Sequence, residues 1–183
     1  MLDYVDLAAA ERFEAVVRGA GVPFELREHE HARHARHLAS LWEADLHEAA
    51  RATLLAADGA AVLAVVRADR KIGAPRLRAL LGAADLRVLR GDRGVGRIGW
   101  QGLPPPPAAL PAVPALFGAG CVVDDLATGG DRLIAALSAT RSLALVPSDY
   151  VRLTGARVLR FAGTTRLLQQ GGMVEDDAYP AGG

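Results

Sequence analysis

The sequence predicts an α/β fold, because one central stretch combines two buried strands with a packed helix. Thr53 to Ala57 and Ala61 to Arg67 are short apolar runs, separated by the turn residues Ala57 to Ala60. Both runs are almost entirely apolar, which predicts a sheet that is buried on both faces. Ala74 to Gly82 has Pro near its start, Gly at its end and leucines on one face, so it predicts a helix that packs on this sheet.

The chain before this stretch predicts a helix followed by a strand. Leu7 to Gly19 places apolar residues at helical spacing, with Asp6 as a candidate N-cap. Pro23 to Glu28 alternates like a strand with one face in solvent. His34 to Leu41 and Trp42 to Ala50 predict one broken helix or two short helices that lead into the hairpin.

The chain after the central stretch alternates short apolar runs with turn residues. Gly102 to Pro114 contains six of the ten prolines, which predicts an extended loop. Pro147 and Gly155 mark the start and end of a short helix. The predicted strands are Leu86 to Leu89, Cys121 to Val123, Leu133 to Leu137, Ser142 to Val146 and Arg157 to Phe161.

Length and composition predict a single domain over residues 1–168, because 183 residues with 51% apolar content suffice for one ordinary core. Residues 169–183 form a Gly-rich, acidic tail, and we expect this tail to be disordered. Cys121 is the only cysteine, so no internal disulfide is possible. The start lacks a basic, apolar leader, and no run approaches ~18 apolar residues. We therefore expect a cytoplasmic protein without a membrane segment.

The charges balance overall but are unevenly distributed along the chain. The formal net charge is zero, so bulk electrostatics gives no support for nucleic-acid binding, and we expect no DNA partner. Between Arg67 and Arg97, however, nine basic side chains accompany three acidic ones. This segment predicts either a local basic face or an ordinary solvated helix with its loops.

The histidines cluster in a way that suggests a metal site. They are His29, His31, His34, His37 and His47. On a helix His31 and His34 would be neighbours, but His31 and His37 would diverge by about 120°. Arginines also lie between them, and a cation disfavours a bound metal. We therefore expect a solvated helix start without a metal, and we expect no cofactor.

The stretch from Ala50 to Gly82, ARATLLAADGAAVLAVVRADRKIGAPRLRALLG, resembles the YbaK/ProX/EbsC family without a gap. These free-standing aminoacyl-tRNA deacylases are related to the editing domain inserted in bacterial prolyl-tRNA synthetases. The resemblance extends from about Val22 to Ala162. It implies a mixed, largely antiparallel sheet of six or seven strands surrounded by helices. It also implies hydrolysis of a mischarged tRNA ester, with the aminoacyl-tRNA 3' end and a tRNA synthetase as candidate partners.

The resemblance also implies three site residues on regular elements. The family has a lysine at the start of the first hairpin strand, and Arg51 takes that place here. Arginine keeps the cation but cannot act as an acid or base near neutral pH. Asp124 matches the family's strand-end aspartate and is either a catalytic residue or a strand-end turn residue. His29 matches a histidine that family members often carry near the substrate pocket.

The family's Gly-x-x-x-Pro loop, whose backbone amides face the reacting carbonyl, can be placed in two ways. Gly102 to Pro106 matches the spacing, but its prolines lack the amide donors that an oxyanion hole would use. If Pro111 to Asp124 is aligned with the family's following segment, the motif falls on Ala108 and Ala112 and is lost. We prefer this second placement because it agrees with the predicted topology.

The altered lysine and loop leave two classes of function open. The first is a trans-acting deacylase in which Arg51 replaces the lysine as an electrostatic anchor. The second is a catalytically degenerate protein that binds an aminoacyl or nucleotide-like ligand in a regulatory role. Turnover of mischarged tRNA separates the two classes.

Overall fold

The computed structural model of the chain describes residues 14–89 and 120–163. Within these ranges the helices are a segment over residues 14–19, α1 (Ala35–Leu41), α2 (Ala74–Leu81), a 3-10 helix (Asp125–Thr128) and α3 (Pro147–Thr154). The strands are β1 (Phe24–Glu28), β2 (Ala50–Ala57), β3 (Ala60–Arg67), β4 (Lys71–Ile72), β5 (Leu86–Val88), β6 (Gly120–Asp124), β7 (Leu133–Ala136), β8 (Arg141–Leu145), β9 (Arg157–Leu159) and β10 (Ala162–Gly163).

The largest sheet has five strands in the order β5-β2-β3-β6-β9. Its centre is the hairpin of β2 and β3, in which Ala57 pairs with Ala60. Asp58 and Gly59 between them have φ angles of 48° and 88°. Two consecutive positive φ angles are typical of the two-residue turns whose twist matches that of the flanking strands. β6 pairs parallel to β3, and β9 pairs parallel to β6.

Both faces of this sheet are buried, as its apolar strands predict. One face packs against the three-stranded sheet, of order β1-β8-β7, and forms the main core of the protein. The other face packs against α2 through Leu77 and against Phe161, which are both 0% exposed. We call the second cluster the helix-side core; its buried members are Leu55, Val62, Ala64, Val66, Ile72, Leu77, Val122 and Phe161.

The structure confirms the predicted α/β class with a mixed, largely antiparallel arrangement of strands. The strands divide among sheets of five, three and two strands, whereas the sequence predicts one sheet of six or seven. The reason is that the β7–β8 hairpin faces β2 across the main core. Its connection to β2 consists of a single isolated bridge between Ala49 and Ile134.

The predicted second short helix over Trp42 to Ala50 is wrong. The helix α1 ends where Trp42 and Ala44 both donate their backbone N–H groups to the carbonyl of Ala39. Glu43 has a φ of 51°, a left-handed conformation that a helix cannot continue through. Turns and the isolated bridge at Ala49 follow up to β2.

The prediction of one domain over residues 1–168 stays a prediction, and the tail over residues 169–183 lies outside the described residues. Residues 14–19, the described part of the first predicted helix, are helical. No helix in the described ranges is long and apolar enough to cross a membrane.

Glu48 joins the segment before β2 to β7. Its carboxylate accepts hydrogen bonds from the Arg132 guanidinium at 3.0 and 3.2 Å, and its carbonyl accepts one from the N–H of Ile134 at 2.8 Å. The hydrogen bond from Arg132 is the main cause that lowers the pKa of Glu48 below its usual value. The ionised carboxylate is therefore favoured in the folded state.

We expect Glu48→Gln to reduce the free energy of unfolding at pH 7 by up to about 1 kcal/mol, because the ion pair is partly exposed. A lowered folded-state pKa contributes stability above the unfolded-state pKa of about 4.3, and this contribution disappears as pH falls through the folded-state pKa. The difference from wild type should therefore shrink toward pH 3. Urea denaturation at both pH values measures it, with the exposed Glu28→Gln as control. If Glu48→Gln and wild type differ in the free energy of unfolding by the same amount at pH 3 as at pH 7, the ionised Glu48 carboxylate does not contribute the proposed stability.

Candidate functional site

Arg51 lies at the start of β2, opposite Val66 of β3. Because side chains alternate along a strand, Arg51 lies on the same face as Leu55, which belongs to the helix-side core. Arg51 itself is half-buried. A cation is thus held at the end of a rigid sheet, with its backbone fixed by the hairpin.

The strand register brings Arg51 and Asp124 to the same end of the sheet. Val65 of β3 pairs with Val123 of β6, so the next residues, Val66 and Asp124, are neighbours. Arg51, Val66 and Asp124 therefore form one row on one face. Two strand spacings separate the outer members, which is about 10 Å between their backbones. The loop residues Gly102, Ala108 and Ala112 lie outside the described residues.

The carboxylate of Asp124 is used by the backbone. Its Oδ2 accepts hydrogen bonds from the N–H groups of Phe161 and Ala162 at 2.7 and 2.6 Å, and its Oδ1 accepts one from Leu126 at 3.2 Å. Asp124 is 1% exposed. It ties the end of β6 to the chain between β9 and β10 and caps the 3-10 helix. These contacts favour the strand-end interpretation of Asp124 over a direct role in chemistry.

A second arginine, which the sequence did not single out, lies at this end of the sheet. Arg67 pairs with Ala50, the neighbour of Arg51. Its Nε donates a hydrogen bond to Oδ1 of Asp69 at 2.9 Å, and this bond is the main cause that lowers the pKa of Asp69. The sequence could have located Arg67, because counting outward from the turn along both strands of the hairpin pairs Arg67 with Ala50. The Arg67 charge is compensated by Asp69.

His29 belongs to a polar network with Ser142 and Trp42. Its Nδ1 lies 2.7 Å from the carbonyl oxygen of Glu30, and its Nε2 lies 2.9 Å from Oγ of Ser142. A carbonyl oxygen only accepts, so Nδ1 carries the proton and Nε2 accepts the Ser142 hydroxyl proton. The indole N–H of Trp42 donates to the same hydroxyl at 2.6 Å. Both ring nitrogens of His29 are therefore engaged by the protein.

We expect Ser142→Ala to reduce the free energy of unfolding by about 1 to 3 kcal/mol, because the change leaves the buried Trp42 N–H without its acceptor. Urea denaturation measures the loss. The matched control is Ser40→Ala, an exposed helical serine whose hydroxyl bonds only a local carbonyl at 3.3 Å. A surface change of this kind should stay within about 0.5 kcal/mol. Equal effects of both changes would show that the network does not hold Trp42.

Two of the other histidines, His34 and His37, form local hydrogen bonds at the start of α1. Nδ1 of His34 accepts the N–H of His37 at 3.0 Å and so caps the helix, and Nδ1 of His37 accepts the N–H of Arg33 at 3.2 Å. In the part of the chain that the structure describes, no group of three or more His, Cys, Asp and Glu could hold a metal ion. The expectation of no metal stays a prediction for the chain as a whole.

Cys121 is no candidate nucleophile, although it lies in β6 close to Asp124. Its side chain is buried, and burial raises the pKa of the thiol to about 11. The reactive thiolate is therefore scarce at neutral pH. At this sheet end Arg51 offers electrostatic chemistry, because its cation can attract a carboxylate, a phosphate or a developing oxyanion.

The family comparison matches most of the described sequence. Residues 29–153 match the model of the aminoacyl-tRNA editing domain. This range contains His29, Arg51 and Asp124 as well as the loop with Gly102, Ala108 and Ala112. A search of curated proteins found no match.

Several solved structures share the fold. The crystal structure of a protein proposed to be a trans-editing enzyme for prolyl tRNA synthetase has a TM-score of 0.65 and 19% identity, over 85% of this chain and 97% of that one. The hypothetical protein APE2540 has a TM-score of 0.68 and 19% identity, over 82% and 99%. A proposed signal transduction protein from Marinobacter aquaeolei VT8 has a TM-score of 0.58 and 25% identity, over 83% of this chain but 31% of that protein.

Proposed function

Because the chain belongs to the aminoacyl-tRNA editing domain family, we propose that it is a trans-acting deacylase that hydrolyses the ester of a mischarged tRNA. The observation that carries this proposal is the family match over residues 29–153, which includes Arg51 and the strands β2, β3 and β6 at whose ends Arg51, Arg67 and Asp124 lie. We also propose that the protein acts in the cytoplasm without a cofactor. A tRNA synthetase is a proposed partner, since one similar structure is described in relation to prolyl tRNA synthetase.

In this proposal a water molecule attacks the carbonyl carbon of the aminoacyl ester. The new carbon–oxygen bond replaces the bond to the ribose oxygen, which receives a proton as the tRNA leaves. Arg51 acts as an electrostatic anchor for a phosphate or for the developing oxyanion, and it does not transfer the proton. The loop between Gly102 and Ala112 supplies backbone donors. His29 contributes to the wall of the substrate site.

Asp124 has a supporting role in this proposal. Its carboxylate holds the end of β6 against Phe161 and Ala162 and so fixes the row in which Arg51 lies. The proposal therefore assigns Asp124 to positioning and Arg51 to contact with the substrate. Substitution of each residue separates the two roles, because a change at Asp124 should lower the stability of the protein whereas a change at Arg51 should not.

The test is hydrolysis of a panel of mischarged tRNAs by the purified protein. We expect at least one member to be deacylated well above its spontaneous rate. A rate equal to spontaneous hydrolysis across the panel, with binding retained, would overturn the deacylase proposal. It would support the second candidate, a degenerate relative that binds an aminoacyl or nucleotide-like ligand. The arginine in place of the family lysine favours this candidate, as does the similarity to a proposed signal transduction protein.

A further inference from the structure

The segment from the end of β3 through β5 carries a strong excess of positive charge. Residues 67–87 contain six basic and two acidic side chains, a net charge of +4 in a chain whose total is zero. The remainder of the chain therefore carries −4. The basic side chains are Arg67, Arg70, Lys71, Arg76, Arg78 and Arg87.

Both carboxylates in this segment are already engaged by neighbouring arginines. Asp69 binds Arg67 and also lies 3.7 Å from Nε of Arg70. Asp85 lies 2.6 Å from Nε of Arg87. Among the described residues, no ion pair involves the remaining cations, Lys71, Arg76 and Arg78. The helix α2, which carries Arg76 and Arg78, also has no acid in its first turn.

These cations are presented on a fixed scaffold. Leu77, between Arg76 and Arg78, is 0% exposed and anchors α2 in the helix-side core, while both arginines are exposed. Gly73 donates its N–H to the carbonyl of Phe161 at 3.0 Å, and a Cβ at Gly73 would come within 2.6 Å of that oxygen. The start of α2 is therefore pressed against the chain that Asp124 holds. A charged ligand would meet side chains on a backbone that is already ordered, which lowers the entropic cost of binding.

The basic segment starts at the sheet end where Arg51 lies. Arg67 at the end of β3 is opposite Ala50, and Arg70 and Lys71 follow directly. The helix α2 then runs for eight residues, or about 12 Å, and Asp58 in the hairpin turn accepts the N–H groups of Ala84 and Asp85 just beyond it. The basic segment thus leads from the candidate site toward the opposite end of the sheet.

We infer that this surface, formed by Arg70, Lys71, Arg76 and Arg78, binds the phosphate backbone of the tRNA acceptor stem. The inference rests on the proposed function, because it requires the aminoacyl end of the tRNA to lie near Arg51. Three of these four cations, Lys71, Arg76 and Arg78, have no ion pair within the described residues, and such a cluster of positive charge beside the site matches the negative charge of a nucleic-acid backbone. Phosphate contacts of this kind position the substrate without reading its sequence, so the surface serves any tRNA that the protein accepts.

The test compares tRNA binding by wild type and by the double variant Arg76→Gln/Arg78→Gln across a range of KCl concentrations. Deacylated tRNA is the probe, and fluorescence anisotropy gives the dissociation constant. Each phosphate contact contributes roughly 0.7 to 0.9 to the slope of log affinity against log salt. The double variant should therefore bind more weakly and lose about 1.4 to 1.8 units of this slope.

The matched control is Arg18→Gln/Arg152→Gln. These arginines are also exposed and helical, but each is paired with a carboxylate, Glu14 or Asp149. The control removes the same charge and should leave the slope unchanged. An equal loss of slope in both variants would show that only the net charge of the protein matters for tRNA binding, and it would overturn the inference. Wild-type affinity and slope in Arg76→Gln/Arg78→Gln, or no measurable tRNA binding by wild type, would also overturn it.

Hydrolysis of a short substrate separates this inference from the proposed function. An aminoacyl-adenosine carries the ester but no acceptor stem, so wild type and Arg76→Gln/Arg78→Gln should cleave it with equal kcat/KM. With full aminoacyl-tRNA the double variant should show a raised KM and an unchanged kcat. If wild type cleaves neither substrate, the deacylase proposal fails, while the salt dependence of binding still decides the role of the basic surface.

Discussion

Asp124→Ala is expected to reduce the free energy of unfolding by about 3 to 5 kcal/mol. The change leaves the N–H groups of Phe161 and Ala162 without the carboxylate oxygen that they share, and it also removes the cap on Leu126. Hydrogen bonds to a charged acceptor are the strong ones, and a buried donor that loses its acceptor incurs the full cost of desolvation. Chemical denaturation followed by circular dichroism measures the loss.

Two further variants make this expectation specific. Asp124→Asn keeps one carbonyl oxygen as an acceptor, so its loss should be clearly smaller than that of Asp124→Ala. Asp125→Asn alters the next carboxylate in the chain, which pairs with the exposed Arg160, and should cost less than about 1 kcal/mol. Asp124→Ala with near-wild-type stability would show that Asp124 does not hold the sheet end, and its catalytic assignment would then regain support.

Arg51→Ala is expected to lower kcat/KM for a mischarged tRNA by roughly 30- to 1000-fold, which corresponds to about 2 to 4 kcal/mol of transition-state stabilisation. The physical reason is that the variant loses the cation that attracts the phosphate or the developing oxyanion. Arg51→Lys should retain or raise the activity, because Coulomb attraction and hydrogen bonding survive in the ammonium group. Single-turnover deacylation assays with a substrate from the panel measure both variants.

The stability of both Arg51 variants should remain close to wild type, since the side chain is half-buried at the end of a strand. Arg18→Ala serves as the control for loss of one exposed cation and should leave deacylation unchanged. If the protein is instead a binding protein, Arg51→Ala should weaken ligand binding with no rate to lose. Equal deacylation by Arg51→Ala and wild type would show that the family's lysine role does not transfer to this position.

The central hairpin and α2 could be predicted because their signals are local in the sequence. Asp58 and Gly59 adopt the positive φ angles that short hairpin turns need, and Gly82 ends α2 with a φ of 66°. The segment after Trp42 could not be predicted in this way. Its apolar spacing suggests a helix, but Trp42 is held by Ser142, a residue 100 positions later, and the chain turns at Glu43.

The candidate site also combines a residue that local sequence could locate with contacts that depend on distant parts of the chain. Arg51 could be located because it lies within an uninterrupted resemblance to a family pattern. The contacts of Asp124 could not be predicted from the sequence. Its partners are the backbone N–H groups of Phe161 and Ala162, and every residue type except proline has such a group. The row that joins Arg51 to Asp124 depends on the parallel pairing of β3 with β6, and such long-range pairing is not encoded in local periodicity.

The parallel pairing of β3 and β6 also sets an order of events during synthesis. Val62 pairs with Gly120, 58 positions later, whereas β2 and β3 are joined by a two-residue turn. A hairpin forms in microseconds, but a ribosome that adds about 5 to 20 residues per second needs roughly 3 to 12 seconds to make the intervening chain. Throughout that time the apolar β3 edge lacks its β6 neighbour. The nascent chain is therefore most prone to aggregate, and most in need of a chaperone, before β6 emerges from the ribosome.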